Sequence, residues 1–158
     1  MIVTLNRTET STEHATTITL RGTIDQNFNW NNFQSKVKPQ VVVDLKDVDQ
    51  INSSGVRAWI KTFDLAFQNH PVEFRHVSTT VIDNVNIFPA LIKGAKLKSF
   101  NMQYFCECGF RGTVLFTIER ARQLQNEKSN FELPCECGQT MEPDVGLDNY
   151  LKFLIFAK

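Results

Sequence analysis

The stretch that decides the fold is Val41-Val42-Val43-Asp44-Leu45, followed after a short connection by Ile51-Asn52-Ser53-Ser54-Gly55-Val56. A continuous β-branched run is typical of a strand that is buried on both faces. Beyond it, apolar residues recur at helical spacing, at Val56, Trp59, Ile60, Phe63, Ala66 and Phe67. The sequence therefore predicts a buried strand that leads into an amphipathic helix, with Ser53 or Ser54 as its N-cap.

Further strands and helices are predicted upstream of this unit. Ile2–Leu5 and Thr17–Arg21 alternate apolar and polar residues, which indicates strands, and the polar stretch Glu9–His14 between them indicates a turn. Asn27–Lys38 has aromatic and apolar residues at short helical spacings and is predicted to be a helix that ends before proline 39.

The alternation continues downstream. Val72–Val77 is predicted to be a strand, Ser78 is predicted to cap the next helix, and Leu97–Cys106 is predicted to be another strand. Glu119–Asn130 is predicted to be a loop or a short surface helix, and Asn149–Phe156 a terminal helix or strand. Strand–helix alternation of this kind favours an α/β fold with a mostly parallel sheet.

Three segments together resemble a STAS domain, the family that includes bacterial anti-sigma-factor antagonists and the cytoplasmic tails of anion transporters. They are Ile18–Asp25, Val41–Leu45 and Ile51–Val56, and the resemblance covers about residues 2–105. It implies a mixed β-sheet with helices on one face, here as a domain of residues 1–104. It also implies regulation through protein–protein contact and not catalysis.

The resemblance implies a switch residue as well. In the antagonists of this family, a partner kinase phosphorylates a serine in the motif Asp-Ser-x-Gly. Ser53 matches that serine and Gly55 matches the glycine, whereas Asn52 replaces the aspartate. A phosphate at a helix N-terminus meets the positive end of the helix dipole, so the fold should tolerate it while a docked partner is repelled. The alternative interpretation is that Ser53 and Ser54 only cap the helix.

A partner protein is expected to bind at this loop and along the exposed face of the following helix. The candidate contact residues are Asp25, Arg57 and Lys61. The resemblance implies that the partner is a kinase, an anti-sigma factor or a larger signalling assembly.

The cysteines predict a metal site in the last third of the chain. All four fall in two copies of Cys-Glu-Cys-Gly, which supply Cys106, Cys108, Cys135 and Cys137. Four thiolates suit a tetrahedral Zn²⁺ ion in a closed structural site. The pattern resembles a zinc ribbon, although ribbons usually have two residues between the paired cysteines and this chain has one. Residues 105–158 are therefore predicted to form a zinc-ribbon-like β module that packs on the first domain.

Two alternatives remain open for this module. One is a zinc- or thiol-based redox sensor, because the paired cysteines also resemble the zinc-centred switch of a redox-regulated heat-shock chaperone. The other is a nucleic-acid-binding ribbon, because the segment between Lys93 and Arg122 holds six basic and two acidic residues. The acidic residues that follow oppose this field, so a nucleic-acid partner is not favoured.

Composition excludes other classes of protein. Seventeen basic and seventeen acidic residues give a formal net charge of zero, which does not favour a strongly basic nucleic-acid binder. The longest nearly unbroken apolar run, Leu151–Ala157, is interrupted by Lys152 and is too short to span a membrane, and no signal peptide is visible. We therefore expect a bacterial cytoplasmic protein. With no phosphate-binding glycine loop and no nucleophile motif, it is expected to be non-enzymatic.

Overall fold

The chain of 158 residues is described by a computed structural model that covers residues 6–11, 15–36 and 39–157. The predicted strand at Ile2–Leu5 lies outside these residues. So do residues 12–14 of the predicted turn and the last two residues of the predicted helix Asn27–Lys38. Across the described residues the fold is mixed α/β, with two sheets and four α-helices.

The first sheet has five strands in the order β1-β2-β3-β4-β5. β1 runs antiparallel to β2, and the remaining neighbours are parallel, as the strand–helix alternation predicts. The predicted turn is wrong at Glu9–Ser11, because the backbone of these residues pairs with β2. The strands are β1 (Asn6–Ser11), β2 (Ala15–Ile24), β3 (Gln40–Ile51), β4 (Val72–Arg75) and β5 (Ala95–Leu97).

The helices lie mostly where the apolar periodicity predicts them. They are α1 (Ser53–Phe67), α2 (Thr79–Ile87), α3 (Ile118–Asn126) and α4 (Leu147–Tyr150). Short 3₁₀ helices span Trp30–Lys36, Pro89–Ile92 and Leu151–Ile155. Among the described residues, none of these helices has the length and apolarity needed to cross a membrane.

The predicted helix at Asn27–Lys38 is replaced by the 3₁₀ helix Trp30–Lys36. It starts later because Asp25 forms a turn at the end of β2. Its carboxylate accepts the backbone N–H of Asn27 at 2.9 Å, and its carbonyl accepts that of Phe28 at 3.1 Å. These local bonds compete with a helical start.

An aromatic cluster fills the space between α1, the first 3₁₀ helix and the sheet. Ring centroids of neighbouring members lie 4.8–5.7 Å apart, mostly edge to face. Such contacts add stability beyond the area that they bury. Trp59 also donates its indole N–H to the carbonyl of Leu91 at 3.0 Å. The members are Phe28, Trp30, Phe33, Trp59, Phe63, Phe67 and Phe74.

The second sheet is antiparallel, in the order β7-β6-β9-β8. The strand predicted at Leu97–Cys106 is divided at Lys98, since Leu97 ends β5 and β6 extends from Ser99 to Phe105. The second sheet therefore begins at Ser99, and one cluster of buried apolar side chains includes residues of both sheets. The strands are β6 (Ser99–Phe105), β7 (Arg111–Thr117), β8 (Leu133–Pro134) and β9 (Thr140–Pro143).

The start of α1 lies directly against the end of β2. A Cβ atom placed on Gly55 would be 2.2 Å from the carbonyl oxygen of Ile24, which is closer than any real contact. Asn52 donates its backbone N–H to the same oxygen at 3.2 Å. Only glycine permits this approach, so Gly55 fixes where α1 begins relative to the sheet.

Substitution of Gly55 by alanine tests this contact. The new methyl group must displace backbone, and overpacking of this kind costs about 1–3 kcal/mol. We expect the free energy of unfolding of Gly55→Ala, measured with urea, to fall by that amount. Gly146→Ala is the matched control, because nothing lies within 4 Å of a Cβ atom at that position. Equal stability of the two variants would contradict the proposed contact.

Candidate functional site

Two hairpin turns with the same backbone geometry present the cysteines. In the turn between β6 and β7, Gly109 donates its N–H to the carbonyl of Cys106 at 2.9 Å. In the turn between β8 and β9, Gly138 donates to the carbonyl of Cys135 at 3.0 Å. Both glycines are left-handed, with φ of 94° and 86°. The repeated Cys-Glu-Cys-Gly sequence therefore builds one turn twice, because glycine alone adopts this φ without strain.

The two turns face each other and bring the four sulfur atoms together. Sγ of Cys106 lies 3.7 Å from that of Cys137, and Sγ of Cys108 lies 3.8 Å from that of Cys135. All four ligand atoms lie within 4.8 Å of one another. Zn–S bonds of about 2.3 Å in tetrahedral geometry separate the sulfur atoms by about 3.8 Å. The predicted four residues therefore form a cluster that fits a metal ion.

Backbone N–H groups favour negative charge on individual sulfur atoms. The N–H of Phe110 is the main cause that lowers the pKa of Cys108 to about 7, with help from the thiols of Cys106 and Cys137. The N–H of Cys108 acts in the same direction on Cys106, but burial and hydrogen bonds from the other three thiols raise its pKa to about 12. A cation bound here would replace protons on the cluster, and so its binding would release them.

The cluster lies at the surface, and an ion pair connects the strands that follow its two turns. Cys106 is buried, whereas Cys108 and Cys137 are exposed. Arg111 of β7 and Asp144, which follows β9, form an ion pair at 2.6 Å. Among the described residues, the group that could hold a metal consists of cysteines alone. A site with four thiolates and no open position is typical of structural metal sites and not of catalytic ones.

The N-terminus of α1 is capped by Asn52. Its side-chain oxygen accepts the backbone N–H of Gly55 at 2.7 Å, and its backbone is extended, as expected at an N-cap. The predicted capping by Ser53 or Ser54 is therefore wrong. Ser53 is exposed at the first helical position. The hydroxyl of Ser54 accepts a hydrogen bond from the guanidinium of Arg57 at 3.2 Å.

The other residues predicted to contact a partner lie along the same end of α1. Asp25 directly follows Ile24, against which Gly55 packs, so its backbone adjoins the start of the helix. Arg57 and Lys61 are exposed and one helical turn apart. The structure thus brings Asp25, Ser53 and Arg57 to one end of the helix, with Lys61 on the next turn.

The sequence did not predict the contact between His76 and Asp44. His76 is half-buried, and its ring nitrogen Nδ1 lies 2.9 Å from Oδ2 of Asp44. His76 is left-handed, with φ of 50°, and Ser99 and Asn101 hydrogen-bond to its backbone. The paired residues are 32 positions apart in the chain, so no local spacing could have signalled the contact.

The cap assignment predicts different effects for two neighbouring substitutions. Asn52→Ala removes the acceptor for the N–H of Gly55 and should lower the free energy of unfolding by about 1 kcal/mol. Ser53→Ala removes an exposed hydroxyl that does not cap the helix and should change it by less than about 0.5 kcal/mol. Urea unfolding followed by circular dichroism measures both. A larger loss for Ser53→Ala than for Asn52→Ala would assign the cap to the serine.

Comparison with known proteins identifies no relative of this chain. No protein-family model matches the chain, and no curated protein matches it. The two features of the chain that bear on its function are the cluster of sulfur atoms and the exposed N-terminus of α1.

Proposed function

We propose that the protein is a non-enzymatic regulatory adaptor of the STAS type, which binds a partner protein through the N-terminus of α1 and contains one structural zinc ion. The observation that supports the proposal is that Asn52, and not Ser53, caps α1. Ser53, which follows the cap, is exposed. An exposed serine that is not needed for capping is available to a kinase or to a docked partner.

The identity of the metal is inferred from the ligands. Four thiolates favour Zn²⁺, which accepts tetrahedral sulfur coordination without any redox chemistry of its own. The sulfur distances of 3.7 and 3.8 Å suit Zn–S bonds of about 2.3 Å. The ion would join the β6–β7 hairpin to the β8–β9 hairpin. Its role is therefore to stabilise the second sheet.

Metal analysis of reduced, purified protein tests this role. We expect one equivalent of zinc in the wild type and in Thr140→Ser, a conservative control next to the second turn. The double variant Cys106→Ser/Cys135→Ser removes one ligand from each turn and should bind none. It should also unfold at a lower urea concentration. One equivalent of zinc retained in the double variant would contradict the assignment.

The effect of phosphorylation on Ser53 follows from its position. Ser53 starts a helix of 15 residues, and the guanidinium of Arg57 already reaches the hydroxyl of Ser54 at 3.2 Å. A phosphate adds a charge of about −1.5 to −2, which the helix dipole and Arg57 favour. The fold should therefore persist, whereas the surface that a partner contacts becomes more negatively charged.

Affinity capture from native lysate tests the switch. Ser53→Asp should lose a partner that wild type and Ser53→Ala both retain, because a negative charge replaces a neutral hydroxyl. Ser53→Asn is the matched control, since it has the shape of aspartate without the charge. Phosphosite mapping of the captured wild-type protein should identify Ser53. Equal capture by the aspartate and asparagine variants would refute the switch.

A further inference from the structure

The four edge strands of the two sheets are unequally protected against pairing with another chain. β5 has three residues with exposed Lys96 at its centre, and β8 has two residues, one of which is Pro134. The sequence of β1 includes Arg7 and Glu9. Short length, charge and proline are the devices that natural proteins use to block edge pairing.

β7 has fewer of these devices, because its one charged residue, Arg111, stands at its first position. It has seven residues and pairs with β6 alone among the described strands. From Gly112 to Thr117 it contains no charged residue and no proline. Leu115 in this stretch is 49% exposed. An edge strand whose last six residues are uncharged and include an exposed leucine is a surface that favours addition of another strand.

The direction of the free backbone groups follows from the two ends of β7. Phe110 and Ile118, which flank the strand, both hydrogen-bond to the chain that forms β6, at Cys106 and Lys98. Hydrogen-bonded and non-bonded pairs alternate along an antiparallel ladder. The even-numbered residues of β7 therefore bond to β6. Of the odd-numbered residues, Arg111, Thr113 and Leu115 point both their N–H and their C=O groups outward. Thr117 offers only its N–H, because it is the N-cap of α3 and the C=O of an N-cap residue accepts the first hydrogen bond of the helix.

We propose that β7 pairs with β7 of a second copy of this chain, in antiparallel orientation about a two-fold axis at Val114. In this register Thr113 pairs with Leu115 of the second copy, and Arg111 pairs with its Thr117. Thr113 and Leu115 then exchange two hydrogen bonds across the axis, and the N–H of Thr117 donates to the C=O of Arg111 in the other copy. The two four-stranded sheets become one sheet that is continuous across the dimer.

The side chains suit a second copy as the occupant. The strand is compatible with itself because Arg111, its one charged residue, lies opposite a threonine and not opposite its own copy. Leu115 lies beside Thr113 of the second copy, which covers part of its exposed surface. An isologous contact of this kind closes after two copies and does not continue into a fibre.

Light scattering coupled to size exclusion tests the proposal on the full-length, reduced, zinc-loaded protein. At about 100 μM, a concentration that detects micromolar affinity, we expect wild type to elute at twice the chain mass of 18.1 kDa. Leu115→Lys places a charge on the strand and should elute as a monomer. Ile155→Lys is the matched control, since Ile155 is 81% exposed but lies in the C-terminal 3₁₀ helix, and it should remain a dimer.

A second variant removes a backbone donor without altering the pairing with β6. Thr113→Pro deletes an N–H that points outward, a position where an edge strand tolerates proline. It too should be monomeric. A monomeric wild type, or a dimer that persists in both Leu115→Lys and Thr113→Pro, overturns the proposal.

Amide exchange identifies the surface independently of any substitution. In the wild-type dimer the N–H groups of Thr113 and Leu115 should exchange at least about tenfold more slowly than after dilution to the monomer. Those of Val114 and Phe116 bond to β6 and should be protected at both concentrations. A dimer in which Thr113 and Leu115 exchange as fast as in the monomer overturns the proposal.

Discussion

The structure depends on the passage of one chain segment from the first sheet into the second. Lys98 donates its N–H to Phe74, Val77 donates to Ser99, and Asn101 donates to Val77, at 2.8–3.0 Å. Each such bond contributes about 1 kcal/mol net.

The larger contribution comes from the side chains that follow on β6. Phe100, Met102 and Tyr104 are at most 1% exposed, and each buried side chain of this size contributes about 1.5–3 kcal/mol. The hydrogen bonds set the register of this passage, and the burial makes it stable.

The sequence predicts those parts of the fold that depend on local periodicity. The β-branched run at Val41–Val43 and the spacing from Val56 to Phe67 each indicate their own element, and the structure has β3 and α1 there. The division of the strand after Leu97 is different in kind. The residues from Ser99 to Phe105 alternate in the same way whichever sheet they join, so their partner is set by tertiary packing and not by their own pattern. The same holds for His76 and Asp44.

The candidate site shows the same contrast between local and distant determinants. The cysteines were predictable because their chemistry and their turn-forming glycines lie within four residues of each other. The cap was not, because asparagine and serine are nearly equal as N-cap residues. The backbone of Ile24 favours Asn52 as the cap, because its carbonyl oxygen lies close to Gly55 and accepts the N–H of Asn52. Asparagine also caps without charge, so it places no anion next to Ser53.

The mutual approach of the two identical turns has a consequence for the unfolded chain. Each close sulfur pair joins one turn to the other, so an ion bound to all four thiolates would close a loop that contains all of α3. For a loop of about 30 residues, such a cross-link removes conformational entropy equivalent to about 3–4 kcal/mol at 25 °C. α3 is mostly polar, with three buried residues. Such an ion would therefore stabilise α3 by reducing the freedom of the unfolded chain, in addition to the contacts of these three residues.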